Sequence, residues 1–262
     1  MKKLMLTGLL AVAAAFAQAP AQAPAQAPAA KKGPAPKSQA ELQALQALFT
    51  AQNQQNWDGV IAAADDLISK FADTDFKSIA FVMEGDAYNR KKDPIKAQVY
   101  YEQAIAADPK DYRAHIDLGE VIVQHVGAND LDREEKLSKA DKELNAGLDA
   151  LKTAEKPNPQ LTDEQWNDAK KMFSGQAQDD LGLVALQRKK YDVAIADFRE
   201  AVASDPQEPA HQVRLASALQ QSGKNDEAIT VCDKVLADAT ALPAIKQACT
   251  GIKTQATAAK GK

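Results

Sequence analysis

The residue types that most often bind metals or act as nucleophiles are few in this chain, which has three histidines and two cysteines. His115, His125 and His211 have none of the spacings that metal sites use, such as the HExxH motif. Cys232 and Cys249 are 17 positions apart and belong to no CxxC motif. These side chains therefore predict neither a metal centre nor thiol-based catalysis.

Adjacent carboxylates such as Asp65–Asp66 and Asp179–Asp180 could in principle perform general acid–base chemistry. Neighbouring positions of a helix point about 100° apart, so the two members of a pair do not share a site. We expect both pairs to lie on solvated faces. The chain also has no glycine-rich phosphate loop and no Gly-x-Ser-x-Gly turn. We therefore predict that the protein is not an enzyme and needs no cofactor.

The composition favours a chain made of closely packed helices. Aromatic residues are only 5% of the 262 residues, which disfavours an aromatic-rich β-sandwich. The formal net charge is −4, and residues 38–262 carry −9 because residues 1–37 contain five lysines and no acidic residue. This negative charge argues against nucleic acid or an anionic membrane as the main partner of the folded part.

The first 17 residues are typical of a secretory signal peptide. Lys2 and Lys3 precede an apolar stretch, and Ala15-Phe16-Ala17 forms a small-x-small cleavage site. We expect the mature chain to begin at Gln18 and to be periplasmic or secreted. A retained membrane anchor is the alternative, but the apolar run is shorter than the ~20 residues that a membrane-spanning helix needs. We therefore expect no stable membrane insertion after cleavage.

Residues 18–37 repeat Ala-Pro-Ala-Gln and end in a lysine-containing Pro/Ala segment. Closely spaced prolines prevent a helix and favour an extended polyproline-like conformation. We interpret this stretch as a semi-rigid linker. Recognition as a proline-rich ligand is the alternative.

Two stretches of the folded part share one spacing of small and large residues. The first has Ala97, Tyr101, Ala104 and Pro109, and the second has Ala194, Phe198, Ala201 and Pro206. Small residues let two helices approach, large residues fill the space around the contact, and the proline ends the second helix. With Leu181, Gly182 and Tyr191, the pattern resembles the tetratricopeptide repeat. The spacing from Gly85 to Gly119, and from Gly182 to Ala216, is the 34 residues of that family.

The resemblance implies an all-α fold, a right-handed α-solenoid of helix-turn-helix repeats over residues 38–262. We place the repeats at about 41–74, 78–111, 112–160, 161–208 and 209–242, followed by a capping helix at 243–256. Gly119 and Gly182 are 63 residues apart, about 29 more than one repeat. We therefore expect an inserted long helical hairpin, with a helix that extends from Thr162 to Arg188.

In the tetratricopeptide family the first helix of each pair lines a concave groove that binds a protein or peptide. By this resemblance the candidate partner-binding residues are Asp86, Asn89, Arg90, Arg113, Glu120, Gln124, Asp179, Gln187, Arg214 and Gln220. Val82, Ile116, Leu183 and Ser217 map to the same groove. Some relatives clamp a partner's terminal carboxylate with basic and amide side chains. That clamp is absent here, because Val82, Asp86 and Asp179 stand at its positions.

The same resemblance places Cys232 and Cys249 at positions that face each other across consecutive helices. An exported chain meets an oxidising compartment, which favours a disulfide between them. Two buried free thiols are the alternative, because cysteine is a common small core residue.

The main functional hypothesis is an exported scaffold that binds a protein or peptide partner through its groove, with the monomer favoured. The second is a structural component of the cell envelope that associates with copies of itself through the inserted hairpin. A third is a carrier of a small ligand, although few aromatic side chains could line its pocket. The mass of the protein in solution, measured at several concentrations, separates the first hypothesis from the second.

Overall fold

The structure is a computed structural model that describes residues 34–158 and 160–260. The predicted signal peptide and most of the linker therefore lie outside the described residues. Within the described part, the chain forms eleven α-helices and no β-strand, which confirms the all-helical fold class. The helices are α1 Gln39–Asn53, α2 Trp57–Lys70, α3 Lys77–Arg90, α4 Pro94–Ala107, α5 Tyr112–His125, α6 Arg133–Thr153, α7 Asp163–Gln187, α8 Tyr191–Ser204, α9 Pro209–Gln221, α10 Asn225–Ala237 and α11 Pro243–Lys260.

Four of the turns between paired helices share one backbone geometry. Gln55, Lys92 and Lys189 have φ values of 55°, 62° and 58°, and Gly223 has 81°. In each turn the next residue donates its N–H to the carbonyl five residues earlier, at 2.9 to 3.0 Å. This left-handed residue with its 6→1 hydrogen bond is the Schellman ending of a helix. Four helices therefore end in the same way, although only one of the four turns uses glycine.

The chain divides into two compact units, which are described separately. Unit 1 comprises the described residues up to Ala107 together with Glu155–Thr162. Unit 2 comprises Asp108–Ala154 and the described residues from Asp163 onward.

Unit 1 contains α1 to α4, and each helix packs on the next. Leucine, valine and methionine side chains of α1, α2 and α3 form its core, together with Phe76. The buried Glu41 joins the start of α1 to the loop before α3, because the Thr74 hydroxyl donates to its carboxylate at 2.6 Å.

Unit 2 contains α5 to α11, and here too each helix packs on the next. In addition, α5 contacts α7, α7 contacts α9, and α9 contacts α11. The odd-numbered helices therefore lie side by side, and the even-numbered helices pack against them. The side-by-side arrangement of α5, α7 and α9 creates the surface on which the candidate site lies.

Glycines allow the paired helices to approach closely. A Cβ on Gly182 would lie 2.6 Å from the ring of Phe198, and one on Gly85 would lie 2.5 Å from the ring of Tyr101. Both aromatic rings are fully buried. The shared spacing of small and large residues in the two stretches therefore has a direct structural reason.

The extra residues between Gly119 and Gly182 lengthen α6 to 21 residues and α7 to 25 residues, whereas α5 and α8 have 14 each. At 1.5 Å per residue, α7 is about 38 Å long. Leu151, Trp166 and Ala169 form a small core between the extended parts of α6 and α7. The inserted long helices predicted from the sequence are therefore present, and their apolar residues pack on each other.

Among the helices that the structure describes, none combines the length and the hydropathy needed to span a membrane.

Candidate functional site

The candidate site lies where α5, α7 and α9 run side by side in unit 2. We call its central part the acidic face and define it by Asp117 and Glu120 of α5 and Gln176 and Asp180 of α7. Asp117 and Glu120 are one helical turn apart, as are Gln176 and Asp180, so each pair shares one side of its helix. The Gln176 amide Nε2 donates to Glu120 Oε2 at 2.7 Å and so connects the two helices.

Asp179 and Asp180 are both buried, at 2% exposure each, which corrects the expectation that this pair is solvated. The two side chains point about 100° apart on α7, as expected for adjacent positions. Asp179 faces α9, whereas Asp180 faces α5. Because α7 has a neighbouring helix on each side, both carboxyl groups are removed from solvent.

Asp179 is engaged with α9. Arg214 forms an ion pair with its carboxylate, and the Nδ1 atom of His211 lies 2.9 Å from Asp179 Oδ1. Burial lowers the pKa of His211, which favours a neutral ring. Arg214 is therefore the cation that balances Asp179.

Asp180 has a different environment from its neighbour. Its Oδ2 atom is buried and has no hydrogen-bond partner among the described residues. Burial raises the pKa of Asp180 well above its usual range, and the nearby charges of Glu120 and Asp117 raise it further. Burial and the two nearby carboxylates therefore both disfavour the ionised form of Asp180.

The two carboxylates of α5 have contacts within the unit. Arg113 Nε donates to Asp117 Oδ2 at 3.2 Å. Glu120 accepts hydrogen bonds from two amide groups, that of Gln124 at 2.8 Å and that of Gln176 at 2.7 Å. These two amide donors hold the Glu120 carboxylate in place.

The candidate partner-binding residues fall into both units. Asp86, Asn89 and Arg90 belong to unit 1, and the other seven belong to unit 2. Asp86 accepts a hydrogen bond from the Tyr101 hydroxyl at 2.9 Å, so it has a packing role. Asn89 is half-buried and Arg90 is exposed.

In unit 2, Gln187 also makes contacts inside the protein. Its Nε2 donates to the carbonyl of Val123 at 2.9 Å, and Arg133 donates to its Oε1 at 3.2 Å. Gln124 is exposed, and Gln220 is half-buried.

Two further groove positions inferred from the resemblance are not on a surface. Val82 is 3% exposed and Ile116 is fully buried, so neither can contact a partner. Leu183 and Ser217 are half-buried.

Sequence reasoning missed three of the four residues of the acidic face, namely Asp117, Gln176 and Asp180. Asp117 could have been found from its spacing of three residues from Glu120. Asp180 gave no such signal, because its environment depends on α5, about 60 positions earlier in the chain.

Cys232 and Cys249 are both buried, and the structure has them as free thiols. They lie in one apolar cluster of α9, α10 and α11, and burial followed by a hydrogen bond between the two thiols raises the pKa of Cys232 to about 12. The two sulfur atoms are therefore neighbours, and the disulfide between them stays a prediction.

No group of His, Cys, Asp or Glu within residues 34–158 and 160–260 has the arrangement of a metal site. The site is built from carboxylates, amides and guanidinium groups, which together suit hydrogen bonding and ion pairing with another molecule.

Parts of this sequence match the models of a known repeat family. Two sequence models of the tetratricopeptide repeat match the chain, one at residues 79–111 and the other at residues 180–243. No curated protein matches the sequence.

Several solved structures share the fold at low sequence identity. A thermophilic TPR protein from Thermus thermophilus is 16% identical, with a TM-score of 0.54 over 85% of this chain and 100% of its own. MamA from Desulfovibrio magneticus RS-1 is 14% identical, with a TM-score of 0.58 over 76% of this chain and 94% of its own. Another MamA crystal structure is 15% identical, with a TM-score of 0.55 over 75% and 90%. Residues 79–111 and 180–243 of this chain are therefore tetratricopeptide repeats, and the described helices share the fold of these solved structures.

Proposed function

We propose that the protein is an exported, non-enzymatic scaffold that binds a protein or peptide partner through the surface formed by α5, α7 and α9. The observation that carries this proposal is the side-by-side arrangement of three first helices of tetratricopeptide pairs. Tetratricopeptide repeats generally bind proteins, and such stacked helices provide an extended surface for a peptide or a helix.

The polar character of this surface also supports binding to another protein. It combines carboxylates with amides and guanidinium groups, among them Glu120, Gln124 and Arg113. Such groups form hydrogen bonds with a peptide backbone and with polar side chains.

Export is part of the proposal and rests on the signal-like residues 1–17. A basic start, an apolar stretch and the Ala15-Phe16-Ala17 site are the three parts that signal peptidase substrates have. The Pro/Ala-rich residues 18–37 then tether the folded part. The proposed location is the periplasm or the outside of the cell.

A site-specific crosslinking experiment in the source cells tests the binding surface. A photoreactive amino acid replaces Gln124 or Gln220 in the full chain, and in matched controls it replaces Glu200 of α8 or Lys234 of α10, which are exposed on even-numbered helices. We expect one partner protein to be crosslinked from the α5 and α9 positions and not from the controls. The same adduct from all four positions, or none from any of them, contradicts the proposal.

A further inference from the structure

An open cleft of about 400 Å³ lies in unit 2, where the start of α6 meets the turn between α7 and α8. We call it the basic cleft, because its lining has four cations, one amide and one carboxylate. The lining residues are Arg133, Glu134, Gln187, Arg188, Lys189 and Lys190. None of the four cations is among the candidate partner-binding residues of the groove, so the cleft is a separate feature of the surface.

The carboxylates at the basic cleft are already bound by one of its cations. Arg188 forms ion pairs with Glu134 at 2.6 Å and with Asp141 at 2.9 Å. A hydrogen bond from Arg188 holds the pKa of Glu134 below its usual range, and the charge of Lys190 acts in the same direction. Glu134 is therefore ionised and is bound to Arg188.

The other three cations of the cleft are not used in this way. Arg133 donates to the Gln187 carbonyl at 2.6 Å and to Gln187 Oε1 at 3.2 Å, and both acceptors are uncharged. Lys189 and Lys190 are exposed to solvent. Within the part of the chain that the structure describes, none of these three cations forms an ion pair with a carboxylate. They are therefore open to an anionic group from another molecule, which could approach from the solvent side of the cleft.

A fully exposed leucine lies next to the basic cleft. Leu131 is two residues before Arg133, and all of its side chain is accessible to solvent. The loop that carries it is fixed, because Gly127 donates its N–H to Asp130 Oδ2 at 3.0 Å and Lys136 binds the same oxygen at 2.9 Å. A fixed apolar side chain beside cations can contact a polypeptide, whereas a small inorganic anion gains nothing from it.

We propose that the basic cleft binds an acidic segment of a partner protein, with carboxylates against its three unpaired cations and an apolar side chain against Leu131. This inference rests on the proposed scaffold function and adds a second contact that specifies the chemistry of the partner. Residues 38–262 carry a charge of −9 and repel an acidic segment from a distance. The attraction therefore has to come from a local group of cations.

The fluorescence anisotropy of a labelled hexaglutamate peptide, titrated with the full chain, tests the proposal. Lys189→Gly and Lys190→Gln each remove one cation of the cleft, and Lys234→Gln makes the same charge change at an exposed position of α10. The joint change Lys31→Gln and Lys32→Gln controls for the lysines of the linker. We expect the dissociation constant to rise three- to fivefold in each cleft variant, at least tenfold in the two combined, and less than twofold in each control.

The variant Lys189→Gly also separates binding from folding. Glycine adopts the φ of 58° at this position without strain, so the variant should unfold at a higher temperature than the unmodified chain. We expect it to bind hexaglutamate more weakly at the same time. A purely structural role of Lys189 would change stability and affinity in the same direction.

A second peptide, with two leucines before the six glutamates, tests the apolar contact. We expect it to bind the unmodified chain at least threefold more tightly than hexaglutamate does, and Leu131→Ser to abolish this difference. Leu131 is fully exposed, so its replacement should leave the fold intact. The control Leu242→Ser, at another exposed leucine, should keep the difference.

Three results would overturn the proposal. Equal weakening in the cleft variants and in the lysine controls would show attraction to exposed lysines in general. Inorganic phosphate that binds as tightly as hexaglutamate would assign the cleft to a small anion. Equal affinity of the two peptides would exclude the contact at Leu131. If crosslinking from Gln124 identifies a partner while hexaglutamate does not bind, the scaffold function stands and only its acidic segment is excluded.

Discussion

Glu84 is a single residue that departs from the repeat pattern, and the structure shows the consequence. It occupies the position that Leu181 has in the later repeat, and it is fully buried between the helices of unit 1. Burial, and after it the charge of Asp65, raises the pKa of Glu84 to about 8. Near neutral pH this carboxyl group is therefore largely protonated.

We predict that Glu84 makes the stability of the protein fall as the pH rises. A carboxyl group with a raised pKa in the folded state binds its proton more tightly there than in the unfolded chain. Its contribution is complete below pH 4.5 and is lost between pH 4.5 and about 8. The Glu84→Gln variant should lose less stability over this interval, with a difference on the order of 3 kcal/mol.

Urea denaturation followed by circular dichroism at pH 4.5, 6 and 8 measures this difference. The control is Glu102→Gln, which removes a carboxylate from an exposed position of α4. Parallel pH profiles for the unmodified chain and Glu84→Gln would contradict the assignment.

At the scale of elements, the turns between paired helices require one left-handed residue each. Lys92 and Lys189 adopt φ values near 60°, a conformation that costs a residue with a Cβ about 1 kcal/mol. Gly223 meets the same requirement without that cost. Three of the four turns therefore place a residue other than glycine in this left-handed conformation, which such a residue does not favour.

We predict that Lys189→Gly stabilises the protein by about 0.5–1 kcal/mol, because glycine adopts the left-handed conformation of the α7–α8 turn without strain. Lys189→Val should destabilise it by more than that, since a β-branched side chain disfavours positive φ. Thermal unfolding of both variants provides the measurement. Lys190→Gly is the control, because its φ of −86° gives glycine no advantage. Equal melting temperatures for Lys189→Gly and Lys190→Gly would refute the prediction.

The packing of α10 against α11 is the second prediction at this scale. Cys232 and Cys249 are neighbours there, so oxidised glutathione should convert the two thiols to a disulfide and release two reduced glutathione molecules. The loop-closure estimate for a loop of this length is a stabilisation of about 3 kcal/mol.

Intact mass after alkylation of the unfolded chain counts the remaining thiols, and urea denaturation measures the stability. Cys249→Ser, which cannot form the bond, should show no stabilisation by oxidised glutathione. Two alkylated cysteines after prolonged oxidation would show that the sulfur atoms cannot reach bonding geometry.

At the scale of the whole molecule, the properties to test are export and self-association. The alternative function requires the extended parts of α6 and α7 to associate with another copy. Trp166 and Ala169 of that region are buried in unit 2, and Met172, at 42% exposed, is the large apolar side chain of α7 that reaches solvent. The apolar surface that α7 exposes is therefore smaller than the surface that a stable dimer buries.

We therefore predict a monomer that has lost residues 1–17. When the full-length chain is produced in its own cells, the intact mass of the purified protein should correspond to a chain that begins at Gln18. Light scattering should then give the mass of one chain at every concentration. A mass that doubles with concentration, and that Met172→Lys returns to one chain, would support the self-associating alternative.

The sequence predicts the parts of this protein that depend on residues close together in the chain. The 34-residue spacing, the pairs Gly182–Phe198 and Gly85–Tyr101, and the two long helices were all predictable, because a helix pair forms between neighbouring segments whose small and large residues must fit. The matches at 79–111 and 180–243 confirm the family assignment on the same local pattern.

Only the tertiary structure decided which polar residues are available for binding. Asp179 and Asp180 are adjacent in the sequence, but α9 neutralises one with Arg214 while α5 places two more carboxylates beside the other. Gln187 and Asp86 map to a binding groove, and their side chains instead hold helices together. The physical reason is that the charge state and exposure of a side chain depend on helices distant in the chain, which helical periodicity does not specify.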